Sequence, residues 1–219
     1  MKFTDYLFEA SKDIWQGYLK HPFIVEIGEG TLPKDKFKDY LVQDYLYLKE
    51  FAKVFSMGVV KAETMDEMKF FYNAIKGTME NETAIHLQYM EKLGVLVKDA
   101  EKLDYHLVTN SYTSYMQAIS LTGSLNEIAM CTLPCTWSYY YIGKHLKEQY
   151  NDILENNYYK EWIEMYCDEE FYKFTEEWIE YVDIACENIS EKEKNKLTEI
   201  FVKASLYEME FWHMAYKTI

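Results

Sequence analysis

Two carboxylic acids lie where helical periodicity predicts buried, apolar side chains. Asp44 is four residues from both Tyr40 and Leu48, and therefore shares their face of a helix. Glu208 is three residues before Phe211 and shares that side of a later helix. A carboxylate without a partner is costly to bury. We therefore predict that both acids point inward, either to tie helices together or to bind a ligand.

A cysteine supplies the third candidate group. Cys135 directly follows Pro134 and shares a helical face with Cys131 and Tyr139. Proline interrupts the hydrogen-bond ladder of a helix, so we consider a helix that restarts at Pro134. The new N-terminal turn would then stabilise a thiolate at Cys135. The alternative is that the cysteine packs as a small apolar residue.

Together, Asp44, Cys135 and Glu208 would form a site for a flat heteroaromatic ligand. The 21 tyrosines of the chain offer aromatic walls, and a carboxylate pairs with an amine next to a ring nitrogen, as in a 4-aminopyrimidine. A thiolate can add to an electron-poor ring carbon, which allows a group on a neighbouring CH2 to leave. The second carboxyl would exchange protons. This scheme requires no metal or organic cofactor.

Helices must position these groups, because only 8 Gly and 3 Pro interrupt spacings of three and four residues between apolar side chains. Ser124 with Glu127, and Ser190 with Glu193, form capping boxes that predict two helix starts. Gly94 and Gly123 predict helix ends. We predict an all-α helical bundle. The predicted helices are 4–20, one from after Pro33 to about 61, 65–93, 101–121, one beginning after Ser124, 155–166, 168–188 and 191–217.

Composition limits the possible partners and the location. The 219 residues carry a net charge of −14 without a dense Lys/Arg cluster, which argues against nucleic acid and anionic membranes. No apolar run is long enough to span a bilayer, and the start lacks a signal-peptide pattern. The four cysteines lack disulfide-rich or CxxC spacing. We expect one domain, 1–219, in the cytoplasm.

Separated motifs lie along these helices: GTLPKDKFKDYLVQDYLYL at 30–48, QDYLYLKEF at 43–51, CTLPCTWSYYYIG at 131–143, KEWIEMYCDEEF at 160–171 and SLYEMEFWHMAY at 205–216. Together they resemble the motifs of the TenA (thiaminase II) family. The resemblance extends over nearly the whole chain and includes the opening of the second helix. Because Cys135 follows Leu133 and Pro134, the chain is similar to the family's cysteine-containing branch.

The resemblance implies a heme-oxygenase-like helical bundle without heme, assembled as a homotetramer. Its activity would be hydrolysis of 4-amino-5-aminomethyl-2-methylpyrimidine to the hydroxymethyl form, and cleavage of thiamine, in thiamine salvage. By resemblance, Cys135 is the nucleophile, Glu208 the acid/base, and Asp44 the acceptor for the exocyclic amine and the adjacent ring nitrogen. The residues that would line or polarise the pocket are Tyr47, Tyr112, Tyr139, Tyr166 and Phe211.

One position departs from the family pattern, and two other functions stay open. His213 follows Phe211 and Trp212 where the family commonly has an acid. A di-metal carboxylate oxidase could use Glu210 with His213, but such sites normally need two Glu-x-x-His pairs. A buried pair of Glu82 and His86 that steadies the bundle is preferred to a second ligand pair. A non-catalytic pyrimidine binder is the other alternative.

Overall fold

The computed structural model describes residues 2–217, and this part of the chain is helical without any strand. The helices are α1 (Phe3–Lys20), α2 (Pro22–Glu29), α3 (Lys34–Lys61), α4 (Met65–Lys76), α5 (Thr83–Lys92), α6 (Val97–Ala100), α7 (Leu107–Thr122), α8 (Leu125–Gln149), α9 (Asn151–Leu154), α10 (Lys160–Met165), α11 (Glu169–Ala185) and α12 (Glu191–Lys217). Within the described range, no helix is long and apolar enough to cross a membrane.

The chain folds into two compact units. The first unit contains residues 2–32 and Ala129–Tyr216, so the N-terminal helices pack with the C-terminal half of the chain. The second unit contains Pro33–Ile128 and Lys217. The single domain predicted for 1–219 remains a prediction.

Most of the predicted helix positions are confirmed. Helices α1 and α3 have nearly the predicted first and last residues. Helix α12 covers the predicted range, 191–217. Ser124 and Glu127 form the predicted reciprocal cap: the Ser124 N–H donates to Glu127 Oε2 over 2.8 Å, and the Glu127 N–H donates to Ser124 Oγ over 3.3 Å. The Glu193 N–H likewise donates to Ser190 Oγ over 3.2 Å. Side chains therefore satisfy backbone groups at both predicted starts.

Three helix predictions were wrong in detail. Helix α7 begins at Leu107 and not at 101, because residues 101–106 form turns and extended chain. The predicted helix 155–166 is shorter in the structure: α10 covers only Lys160–Met165, and α9 ends at Leu154, before the predicted start. The helix α2 was missed, although its sequence carries a helix signal. Pro22 occupies its first turn, and Gly30 closes its end with a φ of 73°.

The segment 65–93 is helical as predicted, but a π-helical turn interrupts it. This turn covers Gly77–Glu82, between α4 and α5. The Thr83 hydroxyl donates to the Thr78 carbonyl over 2.7 Å, across the five-residue spacing of a π-helix. Such turns insert an extra residue into a helix and change the direction of the side chains that follow.

Pro134 does not break its helix. Helix α8 is continuous from Leu125 to Gln149, with Pro134 inside it. The hypothesis that Cys135 lies at a new helix N-terminus is therefore wrong, because the turns on both sides of the proline keep the helical backbone. The N-terminus of a helix therefore does not stabilise a thiolate at Cys135.

In the first unit, Trp15 joins the N-terminal helix to the C-terminal one. Its ring lies 6.0 Å from that of Phe201 on α12 and 5.1 Å from that of Trp137 on α8, measured between ring centroids. Its indole N–H donates to Ser205 Oγ over 3.0 Å. All of Trp15 and Ser205 is buried. Burial of such large rings contributes to the stability of this unit.

In the second unit, the long helix α3 packs against α4, α5 and α7. The contact with α4 depends on Gly58, since a Cβ atom there would lie 2.3 Å from the ring of Phe71. Gln43 on the same helix fastens the start of α7. Its Oε1 accepts from the His106 N–H and from the Thr109 hydroxyl, both over 2.8 Å.

Candidate active site

All eight predicted site residues are buried. The exposed fractions of the three reactive groups are 3% for Asp44, 5% for Cys135 and 2% for Glu208. The first unit holds Cys135 and Tyr139 on α8, Tyr166 just after α10, and Glu208 and Phe211 on α12. The second unit holds Asp44 and Tyr47 on α3, and Tyr112 on α7.

The Tyr18 hydroxyl in the first unit lies within electrostatic reach of both Cys135 and Glu208. Burial raises the pKa of the Tyr18 hydroxyl well above 10.0, and the negative charges of Glu208 and Cys135 raise it further. A hydrogen bond with Ser205 acts in the opposite direction. Both groups therefore lie close enough to act on one hydroxyl. Tyr18 consequently stays protonated at neutral pH and remains a hydrogen-bond donor.

The position of Tyr18 is held by the last helix. Its hydroxyl donates to the carbonyl of Ser205 over 2.5 Å, one turn before Glu208 on α12. Ser205 Oγ in turn accepts from Trp15, so two residues of α1 bind the same turn of α12. In the sequence, Tyr18 has the spacing of a buried helical stripe, with Trp15 three residues before it. Periodicity gives no partner, and so Tyr18 was not identified as part of the site.

Aromatic rings surround Tyr139 in the first unit. The centroids of its neighbours lie 4.6 Å away for Tyr166, 5.1 Å for Trp212 and 6.0 Å for Trp162. The rings are tilted to one another, as aromatic pairs prefer. The predicted residues Tyr139 and Tyr166 are thus brought together, on the helix that carries Cys135 and on the loop after α10.

Gly143 allows this contact between α8 and Tyr166. A Cβ atom built on Gly143 would lie 2.9 Å from the Cβ of Tyr166 and 3.0 Å from its carbonyl carbon. Backbone and Cβ atoms cannot swing aside as the end of a long side chain can. The glycine is therefore required by the close approach of two backbones.

The second unit brings Tyr47 and Tyr112 together. Their ring centroids are 5.3 Å apart, and Tyr47 also stacks on Phe51 at 5.2 Å. The Tyr47 hydroxyl lies 3.8 Å from the sulfur of Met116, one turn after Tyr112 on α7. Both tyrosines are nearly or wholly buried. This pair is rigid and aromatic, which suits a surface for a planar ring.

Asp44 is bound by two side chains of its own unit. The Nε2 atom of His86 lies 2.5 Å from Asp44 Oδ2, and the Tyr40 hydroxyl donates to the same oxygen over 3.3 Å. The Nδ1 atom of His86 lies 2.9 Å from the carbonyl oxygen of Glu82. His86 is wholly buried. The buried carboxylate predicted on α3 therefore has a partner, and that partner is on α5.

The charge state of His86 follows from opposing effects. Burial lowers its pKa, but the charge of Asp44, the hydrogen bond with Asp44 and the charge of Glu82 together raise the pKa above its usual 6.5. The sequence analysis paired His86 with Glu82 and missed Asp44, which is 42 residues away. Only the packing of α5 on α3 shows this pair.

Glu210 and His213, the candidate metal ligands, lie on an exposed part of α12. Glu210 Oε1 is 3.4 Å from His213 Nδ1, and their side chains are 59% and 40% exposed. The His213 ring lies 5.0 Å from that of His21. Among residues 2–217, no three His, Cys, Asp or Glu side chains are grouped as metal ligands. The donor set for a di-metal centre is therefore not assembled in this range.

The remaining cysteines are free thiols and differ in their surroundings. Burial raises the pKa of Cys167 to about 11 and that of Cys186 to about 12. Neither forms a useful amount of thiolate at neutral pH. Cys131 is wholly buried one turn before Cys135 on α8, and it serves as a matched reference for that residue.

Sequence comparison finds close similarity along the whole chain. The TENA/THI-4/PQQC family matches residues 9–218. An "Aminopyrimidine aminohydrolase" of Helicobacter pylori is 41% identical over 218 residues and is covered completely, as is this chain. A Bacillus subtilis protein of the same name is 36% identical, over 99% of this chain and 91% of its own length.

Structural comparison agrees. The "TenA homologue protein from P.horikoshii OT3" superposes with a TM-score of 0.88 at 29% identity and covers 99% of both chains. A domain from Shewanella denitrificans OS217, described as having a heme oxygenase-like fold, gives a TM-score of 0.77 at 17% identity, over 99% of this chain and 93% of its own. The predicted all-α, heme-oxygenase-like fold is confirmed.

Proposed function

The chain belongs to the TENA/THI-4/PQQC family, and we propose that it is an aminopyrimidine aminohydrolase of thiamine salvage. Its substrate is 4-amino-5-aminomethyl-2-methylpyrimidine, which it hydrolyses to the 5-hydroxymethyl compound and ammonia. Thiamine is a second substrate, with the thiazole as its leaving group. The similarity to proteins named "Aminopyrimidine aminohydrolase", at 36% to 41% identity, supports this assignment.

The observation that carries the proposal is the burial of Cys135 and Glu208 in the same unit, where both act electrostatically on the Tyr18 hydroxyl. A buried carboxyl and a buried thiol both lie within electrostatic reach of one hydroxyl. A nucleophile beside a group that can exchange protons is what covalent catalysis requires. The rings of Tyr139 and Tyr166 lie in the same unit and offer a surface for a heteroaromatic substrate.

In the proposed reaction, the thiolate of Cys135 forms a bond to an electron-poor carbon of the pyrimidine ring. The electron pair displaced into the ring then expels the amine from the methylene carbon, and Glu208 donates the proton that the amine takes. Water adds to that methylene carbon and returns a proton to Glu208. The bond between sulfur and the ring breaks, which restores aromaticity and releases the hydroxymethylpyrimidine.

The other residues bind and orient the substrate in this proposal. Asp44 accepts a hydrogen bond from the exocyclic amine. The five aromatic residues Tyr47, Tyr112, Tyr139, Tyr166 and Phe211 line or polarise the pocket. Their burial, and the pairing of Tyr47 with Tyr112 and of Tyr139 with Tyr166, support these roles. The scheme needs no cofactor.

The test measures the hydroxymethylpyrimidine that chelator-treated protein forms from the aminomethyl compound and from thiamine. We expect turnover by the wild type, and loss of turnover in Cys135→Ser. The matched control is Cys131→Ser, which replaces another buried cysteine one turn earlier on α8 and should retain activity. Full turnover by Cys135→Ser would contradict the covalent mechanism. Binding without turnover by the wild type would point to a pyrimidine binder.

We also propose that the protein is a homotetramer in the cytoplasm. Several large apolar side chains of the second unit are exposed, including Leu107 at 80%, Val60 at 72% and Met65 at 66%. Exposed apolar groups of this size are typical of surfaces that another subunit covers. Sedimentation velocity should give about four times the chain mass of 26.3 kDa, and a monomer alone would contradict the proposal.

A further inference from the structure

Within the part of the chain that the structure describes, Asp44 has two hydrogen-bond partners, His86 and Tyr40. The hydrogen bonds of His86 define which of its ring nitrogens carry a hydrogen. A carbonyl oxygen only accepts hydrogen bonds, so the contact of Nδ1 with Glu82 places a hydrogen on Nδ1. The Nε2 atom then either donates to an ionised Asp44 or accepts from a protonated one. The charges of Asp44 and Glu82 favour the first arrangement, an imidazolium bound to a carboxylate.

The backbone before α5 holds the ring in this position. Glu82, whose carbonyl binds Nδ1, is the last residue of the π-helical turn Gly77–Glu82. The bond from Thr83 to the Thr78 carbonyl fixes the start of α5. Turns of this kind occur frequently at functional sites, because they redirect a side chain without ending the helix. The backbone of its own segment therefore orients the His86 ring, and the ring in turn contacts Asp44.

Both described bonds to Asp44 end on Oδ2. The Nε2–H of His86 and the Tyr40 hydroxyl restrain that oxygen and fix the plane of the carboxylate. A ligand donor would therefore bind at Oδ1. An ionised carboxylate only accepts, so a ligand group at this point must carry a hydrogen.

We propose that His86 is a positioning residue that holds the Asp44 carboxylate and turns Oδ1 toward the substrate, so that the site selects pyrimidines with an amino group over their 4-oxo counterparts. This inference rests on the proposed function, in which Asp44 binds the exocyclic amine. A 4-oxo oxygen at the same place is a hydrogen-bond acceptor, as is the Asp44 carboxylate. The two would form no hydrogen bond with each other, and both would lose their hydrogen bonds to water.

The experiment measures binding of 4-amino-5-hydroxymethyl-2-methylpyrimidine and of its 4-oxo analogue by calorimetry. The wild type should bind the amino compound at least about tenfold more tightly, a difference of about 1.4 kcal/mol. In His86→Gln, binding of the amino compound should weaken by at least about tenfold. The ratio between the affinities for the amino and the 4-oxo compound should decrease. KM for the aminomethyl substrate should rise by more than kcat falls, because Cys135 and Glu208 are unchanged.

The matched control is His106→Gln, in the same unit. His106 is partly exposed and lies 3.7 Å from an oxygen of Asp39, so it also pairs with a carboxylate. Its replacement should leave affinity, preference and KM unchanged. Unchanged affinity and preference in His86→Gln would overturn the proposal.

A second measurement needs no variant. The groups that face His86 are Asp44 and Tyr40 from α3 and Glu82 from the π-helical turn. In protein labelled with nitrogen-15 at histidine, the buried ring protected from solvent exchange should be protonated on both nitrogens at about pH 6, below its usual pKa of 6.5. A neutral ring with one protonated nitrogen would overturn the proposal. Absence of turnover by the wild type would instead count against the proposed function, and the ring measurement would still test His86.

Discussion

At the scale of single residues, Glu208 and Glu210 show why burial matters more than residue type. Both are glutamates on α12, but Glu208 is 2% exposed and the Glu210 side chain is 59% exposed. In the proposed reaction, the buried carboxyl of Glu208 transfers protons to and from the bound substrate. The exposed carboxyl of Glu210 is solvated by water and has no part in the proposed reaction.

Glu208→Gln should therefore lower kcat by about 100-fold to 10,000-fold, since general acid–base catalysis contributes about that much. The amide keeps the shape of the side chain and removes its ability to exchange a proton. Glu210→Gln is the matched control and should retain wild-type kcat. Steady-state kinetics with the aminomethyl substrate measure both. Equal kcat for Glu208→Gln and wild type would remove Glu208 from the mechanism.

At the scale of the elements, Gly143 links α8 to the segment that carries Tyr166. An alanine there would place its Cβ 2.9 Å from the Cβ of Tyr166, so the two backbones must separate. Overpacking of this kind typically costs about 1–3 kcal/mol. Because Tyr166 contacts Tyr139 at 4.6 Å, the aromatic surface would also be displaced.

Gly143→Ala should lower the free energy of unfolding by about 1–3 kcal/mol, measured with urea, and should raise KM. Gly77→Ala is the control, because a Cβ atom at Gly77 would meet nothing within 4 Å and its φ of −55° suits alanine. That control should be neutral or stabilise by up to about 1 kcal/mol. An equally stable Gly143→Ala would show that α8 and Tyr166 can separate freely.

At the scale of the whole molecule, the pair of His86 and Asp44 predicts how stability depends on pH. The pKa of His86 is raised in the folded protein above its usual 6.5. Such a group stabilises the fold fully below the unfolded pKa, and this contribution is lost as pH rises through the folded pKa. The folded protein binds the proton more tightly than the unfolded chain does.

The unfolding free energy of the wild type should therefore decrease, relative to His86→Gln, as pH rises from about 6.5 through the raised folded pKa. Urea unfolding at several pH values measures this difference. The comparison with His86→Gln removes the contributions of other titrating groups. Parallel curves for the two proteins would contradict an ion pair between His86 and Asp44.

Helical periodicity predicted the class of fold and the burial of the candidate residues. The stripes around Asp44 and Glu208 have a period that only a helix uses, and both acids are buried as expected. Capping residues predicted helix starts at Ser124 and Ser190, because side-chain acceptors bind backbone groups only a few residues away. The family motifs then suggested the reaction. All of these signals are local in sequence.

Other features depend on which helices pack together. The contact of His86 with Asp44 joins residues 42 positions apart, and that of Tyr18 with Ser205 joins residues 187 apart. The path of the backbone through Pro134, and the π-helical turn before α5, also required the structure. Periodicity determines which side of a helix is buried, because it describes one helix alone. The partner on that side is chosen by packing, which brings together distant parts of the chain.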